Sequence, residues 1–165
     1  MTDRKRITLE RDYHAEIQDV WDLWTTKEGI ESWWGPGGFA VTVRKLDLRP
    51  GGELHYDMTA TAPPQIEFMK KHGMPTTTKA RISFTEVTPP TRLAYVHLAD
   101  FIPGVEPYDV ATIVELRETP EGVHMALSFD AMHNDEWTGR AVMGWTSEIG
   151  KLGERLASLQ KNGTS

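Results

Sequence analysis

Tyr56, Tyr95, His97 and Thr112 are the residues of this chain best placed to act together on a small molecule. Each belongs to a set of alternate residues that is otherwise apolar: Leu54, Tyr56 and Met58; Leu93, Tyr95 and His97; Val110, Thr112, Val114 and Leu116. A period of two marks strands whose alternate side chains share one face. Val123, Met125, Leu127 and Phe129 extend that face with apolar groups alone. Two phenols, an imidazole and a hydroxyl on an apolar wall match the lining of ligand cavities, which are mostly apolar with a few placed polar groups. His97, helped by Tyr56 or Tyr95, has the chemistry of a general acid or base toward an enolisable carbonyl compound. The plainer account of each residue is core filling, with hydroxyls bonded to backbone and His97 a packed neutral imidazole.

Other groupings point to less. The six histidines include no HExxH spacing, so a zinc hydrolase site is not indicated. His133 and Glu136 flank a helix start, where capping is the simpler role. Asp130, Asp135 and Glu136 could be drawn as a metal patch, but acids in a first helical turn are ordinary complements to the helix dipole. Zero cysteines exclude disulfides, thiolate metal sites and a Cys nucleophile. There is no nucleophile elbow, P-loop or dinucleotide fingerprint. Gly35-Pro36-Gly37-Gly38 and Pro50-Gly51-Gly52 lead into strands, so neither offers a helix N-terminus to phosphate. No metal and no cofactor are expected.

Strands and helices must hold those side chains in place. Ile7 to Tyr13 reads as a strand by alternation. Ile17, Val20, Trp21 and Trp24 then form one stripe of a helix. Thr25 and Glu28 have capping-box spacing and predict a second short helix, stopped by Trp33-Trp34-Gly35-Pro36. Six hairpin-linked strands follow: 39–48 and 53–61 around Arg49-Pro50-Gly51-Gly52, 77–87 and 93–99 around Pro89-Pro90, then 108–118 and 123–130 around Pro120-Glu121-Gly122. Between the third and fourth strands, Pro63 to Pro75 carries the punctuation of a short helix, with Ile66, Phe68, Met69 and Met74 as its apolar side. Such a piece suits a lid.

A long helix closes the pattern, from Asn134 as N-cap to Leu159, with Trp145, Ile149, Leu152, Leu156 and Leu159 on one face. At about 1.5 Å per residue it is roughly 38 Å long, enough to cross a small domain. Trp21, Trp24 and Trp145 are expected in the core. Trp33 and Trp34 are adjacent and cannot both point inward from a helix, so one is expected at a cavity entrance. Trp137 is expected near the same mouth, where an indole offers an apolar face and one donor.

A length of 165 residues suits a single domain over 1–165, and 39% hydrophobic with 25% charged residues is ordinary globular composition. The net charge of -6 argues against a nucleic-acid surface, since counterion release needs clustered Lys and Arg, and Arg4-Lys5-Arg6 is short. No apolar run reaches the ~18 residues of a membrane span, so no membrane partner is expected. The opening residues lack a signal-peptide stretch, which makes the cytoplasm the expected location.

Several segments, in this order, resemble one known family. They are Val20-Trp21-Asp22-Leu23-Trp24-Thr25, Trp33-Trp34-Gly35-Pro36, Leu46-Asp47-Leu48-Arg49-Pro50-Gly51-Gly52, Glu86-Val87-Thr88-Pro89-Pro90-Thr91-Arg92-Leu93, and Gly144-Trp145 with Leu152. The chain is similar to the START-like (SRPBCC, birch-pollen-allergen-like) superfamily, in the branch of homologues of the ATPase activator of the ninety-kilodalton heat-shock protein. The resemblance implies an α+β helix-grip fold, a curved antiparallel sheet of about seven strands around a long C-terminal helix, with two short helices after strand one. It also implies a hydrophobic cavity between sheet and helix. The ligand-facing set would be Trp34, Phe39, Tyr56, Met58, Phe68, Met69, Tyr95, His97, Phe101, Tyr108, Val110, Thr112, Trp137 and Ala141. Family members commonly have a short glycine turn where this chain carries the 62–75 insertion.

Three functions fit. The first is binding of a hydrophobic or aromatic small molecule. The second is a cyclase- or hydrolase-like enzyme that uses the same cavity, with His97 as the catalytic candidate. The third is a co-chaperone that contacts a heat-shock ATPase through its surface, as the family name implies; it is disfavoured because the second domain of the larger name-giving protein has no counterpart here. A homodimer is compatible with all three.

Overall fold

Each cluster of glycine and proline separates elements that the chain then packs side by side. The computed structural model describes residues 5–34, 38–99 and 104–163. The elements run β1 (Arg6–Tyr13), α1 (Ile17–Thr25), α2 (Lys27–Trp33), β2 (Phe39–Leu46), β3 (Glu53–Ala60) and α3 (Pro63–Lys71). Then come β4 (Thr77–Thr88), β5 (Arg92–Ala99), β6 (Tyr108–Thr119), β7 (Gly122–Asp130) and α4 (Asp135–Gly163). The seven strands form one curved antiparallel sheet in the order β1-β7-β6-β5-β4-β3-β2. It is a hairpin meander from β2 to β7, and β1 returns to pair with β7 from Arg6 opposite Asp130 to Tyr13 opposite Val123. The β2–β3 turn needs a left-handed residue, supplied by Gly51 at φ 85°.

Register carries the alternation across the sheet. Tyr56 pairs with Ala80, Ile82 with His97, Tyr95 with Thr112 and Thr112 with Phe129, so these side chains share the concave face. Bulges fall between Val43 and Lys45 on β2 and between Phe84 and Glu86 on β4. A bulge accentuates bending, as a sheet that wraps a helix requires. The first places Arg44 beside Asp57, with Nε 2.8 Å from Oδ2.

The two short helices correct two expectations. Thr25 is not a cap: it is the buried last residue of α1, and its hydroxyl donates to the Trp21 carbonyl at 2.7 Å. The cap of α2 is Thr26, whose hydroxyl accepts from the Gly29 N–H at 3.0 Å. Gly29 lets the helices touch, because a Cβ there would collide with the Asp22 carbonyl oxygen and lie 2.7 Å from Leu23 Cα. Trp33 and Trp34 are both buried, at 1% and 6% exposure. The helical argument fails because Trp34 is the C-cap, with φ -65° and ψ 155°, and an extended residue turns its side chain back inward. Trp33 Nε1 donates to the Leu23 carbonyl at 2.7 Å, which makes Trp33 a brace between α1 and α2.

Asn134 caps α4, its Oδ1 accepting from the Trp137 N–H at 2.9 Å. Ile149, Leu152 and Leu156 are buried in the same core as Met125, Leu127, Val114 and Trp24. The helix makes its closest approaches to α1, α2 and β1. There Tyr13 donates to the Ile149 carbonyl at 3.1 Å, and Gly153 leaves room for the Tyr13 ring. Docking at the β1 side leaves space on the other side, under β3, β4 and β5. No helix among the described residues is long and apolar enough to cross a membrane.

Candidate functional site: a cavity between β3–β5 and α4

The space left by α4 is a partly open cavity of about 1000 Å³. β3 contributes Tyr56 and Met58, β4 Thr78, Ala80 and Ile82, and β5 Tyr95 and His97. Trp34 enters from the end of α2, and Trp145 and Glu148 descend from α4. Trp34 is the hub of the aromatic wall: its ring centroid lies 5.4 Å from Tyr56, 6.2 Å from Tyr95 and 6.0 Å from Trp24. Trp24 in turn lies 6.0 Å from Trp145. Edge-to-face pairs such as Trp34–Tyr56 hold rings firmly, each worth about 0.5–1.5 kcal/mol beyond the area buried. The wall is therefore stiff.

Charge is distributed unevenly around the cavity. Arg44, His55, Asp57, Lys79 and Arg81 also border it, but His55, Asp57, Lys79 and Arg81 occupy the register positions that alternate with the concave set. Arg44 is held by Asp57. On the concave side the carboxylate among the described lining residues is that of Glu148. Burial pushes the Tyr95 phenol well above its ordinary range; Tyr56 and Glu148 add to the shift, and Thr112 opposes it. Burial and then Glu148 raise Tyr56 likewise. Both phenols therefore stay protonated at neutral pH and can donate a hydrogen bond. The Thr112 hydroxyl and the indole nitrogens of Trp34 and Trp24 are buried without a well-formed hydrogen bond. Thr112 adjoins Tyr95, yet the pair falls short of hydrogen-bond geometry.

Of the residues expected to face a ligand, Trp34, Tyr56, Met58, Tyr95 and His97 converge on this cavity. The others lie elsewhere. Val110, Tyr108, Trp137 and Ala141 join Met132 in a second, smaller cluster. There Tyr108 Oη is 2.9 Å from His133 Nδ1, and the Arg140 guanidinium sits 4.7 Å from the Trp137 ring centre. Thr112 is fully buried beside Tyr95. Phe39 opens β2 opposite Ala60, outside the lining. On α3, Met69 is buried and Phe68 is 55% exposed against His72, and neither lines the cavity. Phe101 lies outside the described residues. His133 and Glu136 flank the start of α4. No group of three or more potential metal ligands occurs among the described residues.

Glu148 and the lining role of Trp145 escaped the sequence reading. A signal for Glu148 existed: 145, 148, 149 and 152 have i, i+3, i+4, i+7 spacing, so a carboxylate sits inside the apolar stripe of α4. A charged residue in such a stripe marks a place where the interior is not filled by hydrocarbon.

Comparison with known proteins agrees with this architecture. None of the curated proteins matches the chain. Solved structures do. A crystal structure of a protein from Chromobacterium violaceum superposes with a TM-score of 0.75 at 20% identity, covering 92% of this chain and 96% of the other. The solution structure of the AHSA1-like protein from Aeromonas hydrophila gives 0.72 at 22% identity, covering 94% of each chain. The AHSA1 protein from Silicibacter pomeroyi gives 0.72 at 20% identity, covering 93% and 98%. At such identities the likeness establishes the fold. A family model described as Activator of Hsp90 ATPase homolog 1-like protein matches residues 14–157, most of the chain. With its curved sheet, its long closing helix and that match, the chain belongs to the Activator of Hsp90 ATPase homolog 1-like family, within the START-like superfamily.

Proposed function

We propose that the protein is a cytoplasmic binder of a hydrophobic or aromatic small molecule, held between β3–β5 and α4. The observation that carries this reading is the cavity itself: about 1000 Å³, with Tyr56, Met58 and Trp145 only partly buried around it. Interiors are normally close-packed, and side chains that line a void forfeit dispersion contacts which a guest restores. The few polar groups set among rings suit an aromatic guest with one or two hydrogen-bonding substituents. The 62–75 segment serves as lid in this reading. Its helix follows directly from β3, which supplies Tyr56 and Met58, and exposes Phe68. A ligand at a hundred times its Kd stabilises the fold by about 2.7 kcal/mol, so thermal unfolding against a panel of aromatic compounds tests the idea directly. Native mass spectrometry of the gently purified protein should also show a retained adduct. A flat panel together with an adduct-free spectrum would end this reading.

A second reading is favoured by one observation, the presence of His97 in the same cavity as both phenols. There it would serve as general acid or base in a cyclase- or hydrolase-like reaction. His97→Ala separates the two: a binder keeps its ligand-induced stabilisation, and an enzyme loses turnover.

A further inference from the structure

We propose that guests enter and leave the cavity through a split in the sheet, between the opening residues of β4 and the end of β5, with Arg81 and Leu98 as its lips. This rests on the binding function proposed above and adds the route by which a ligand reaches the site. The first support is register. β4 is held by β3 along its opening stretch, from Thr77 opposite Thr59 to Arg81 opposite His55. Its pairing with β5 begins only at Ile82, opposite His97. The next rung would set Arg81 against Leu98, and it is not formed. Beyond that point β5 keeps its other neighbour, Leu98 pairing with Asp109 and Ala99 with Tyr108 of β6. The two strands part while each stays anchored on its far side.

The second support is what borders the cavity at this place. On β4, Thr78, Lys79, Ala80, Arg81 and Ile82 line it without a break, and His97 and Leu98 do so on β5. Successive side chains point to opposite faces of a sheet, so an unbroken run fits a space that passes a strand edge. His55 and Asp57, on the outward register of β3, border the same space, as they would if it continued onto the outer face. Leu98 is 43% exposed, a large apolar side chain that an incoming hydrophobic guest would meet first. The third support is the backbone. Strand edges that face each other unpaired carry N–H and C=O groups in need of partners, and water supplies them only where it can enter. The 62–75 segment runs on to Thr77, so the lid of the binding reading is tethered to one lip of the split.

A passage is told from a binding contact by kinetics. Narrowing it slows entry and exit by the same factor and leaves Kd, their ratio, unchanged. The chain has no cysteines, so Arg81→Cys combined with Leu98→Cys introduces a single bridge across the split. The probe is N-phenyl-1-naphthylamine, a neutral aromatic dye, followed by stopped-flow fluorescence on the oxidised and the reduced forms of this variant. Oxidation should slow association and dissociation equally, by about tenfold or more, and dithiothreitol should restore both. Rates that are the same in both forms would overturn the assignment of the route and leave the binding cavity in place. So would an altered Kd with an unchanged association rate, which would put the two residues in the site rather than at its mouth. Should the bridge not form, Leu98→Trp, at an exposed position, is compared with the native protein by the same criteria. If the dye and a wider aromatic panel all fail to bind the native protein, the binding function fails and this inference fails with it.

Discussion

The two flanks of the sheet meet the same helix and are finished differently. On the β1 side α4 is docked tightly: Ile149, Leu152 and Leu156 are buried, Tyr13 hydrogen-bonds the helix backbone, and Gly153 brings the ring of Tyr13 close. On the β3–β5 side the same helix presents Trp145 and Glu148 to open space, and the sheet answers with Tyr56, Met58, Tyr95 and His97. One flank is built for cohesion and the other keeps room. The lesson is that a long amphipathic helix need not be buried uniformly. Its stripe can be hydrocarbon for two turns and mixed for the next, and the mixed turn marks the site.

Paired truncations probe this contrast most sharply. Leu152→Ala empties a fully buried position on the tight flank and should cost about 2–5 kcal/mol in denaturant unfolding. Met58→Ala, on the open flank, removes a partly buried side chain that already borders a void and should cost only about 1 kcal/mol. Equal losses would erase the distinction between the flanks. Gly29→Ala comes next. Its Cβ would press on backbone that cannot yield, so about 1–3 kcal/mol should be lost. Because α2 leads straight into Trp34, ligand binding should weaken along with stability, whereas Leu152→Ala should spare it.

The smallest effect lies on the outer surface. His124 stands between Asp12 at 2.7 Å and Glu10 at 3.1 Å, and these hydrogen bonds raise its pKa above the ordinary 6.5. A raised value means that the folded state holds the proton more tightly. The stabilisation is therefore full below the unfolded value and fades as pH climbs through the folded one. The Tm difference between the native protein and His124→Gln should be greatest at the acidic end of about pH 5–8 and should shrink toward the alkaline end. A difference that grew with pH would reverse the assignment.

Much of the architecture was legible because it rests on periodicity. Strand alternation in Leu54-His55-Tyr56-Asp57-Met58 and the spacing of Ile149, Leu152 and Leu156 both report a buried face directly. The site was legible only in part. Tyr56, Tyr95 and His97 share a face, and a face is what alternation predicts. How far α4 stands from that face depends on where it docks, which no local pattern encodes. Trp137 was expected at the mouth because it opens the long helix, and Tyr108 in the ligand-facing set, yet both pack with Met132 and Val110 instead. The placement of Trp34 turned on a single residue lying outside a helix, and element ends are where sequence patterns are weakest.

The strand order has a bearing on how the molecule comes into being. Among the described strands β1 comes first and its partner β7 last, with Arg6 contacting Asp130 across 124 positions of chain. During synthesis β1 must wait for its partner until the chain as far as β7 has emerged. Closure of the sheet edge is then a late, long-range event, of the kind that slows folding and leaves a strand edge exposed to neighbours in the meantime.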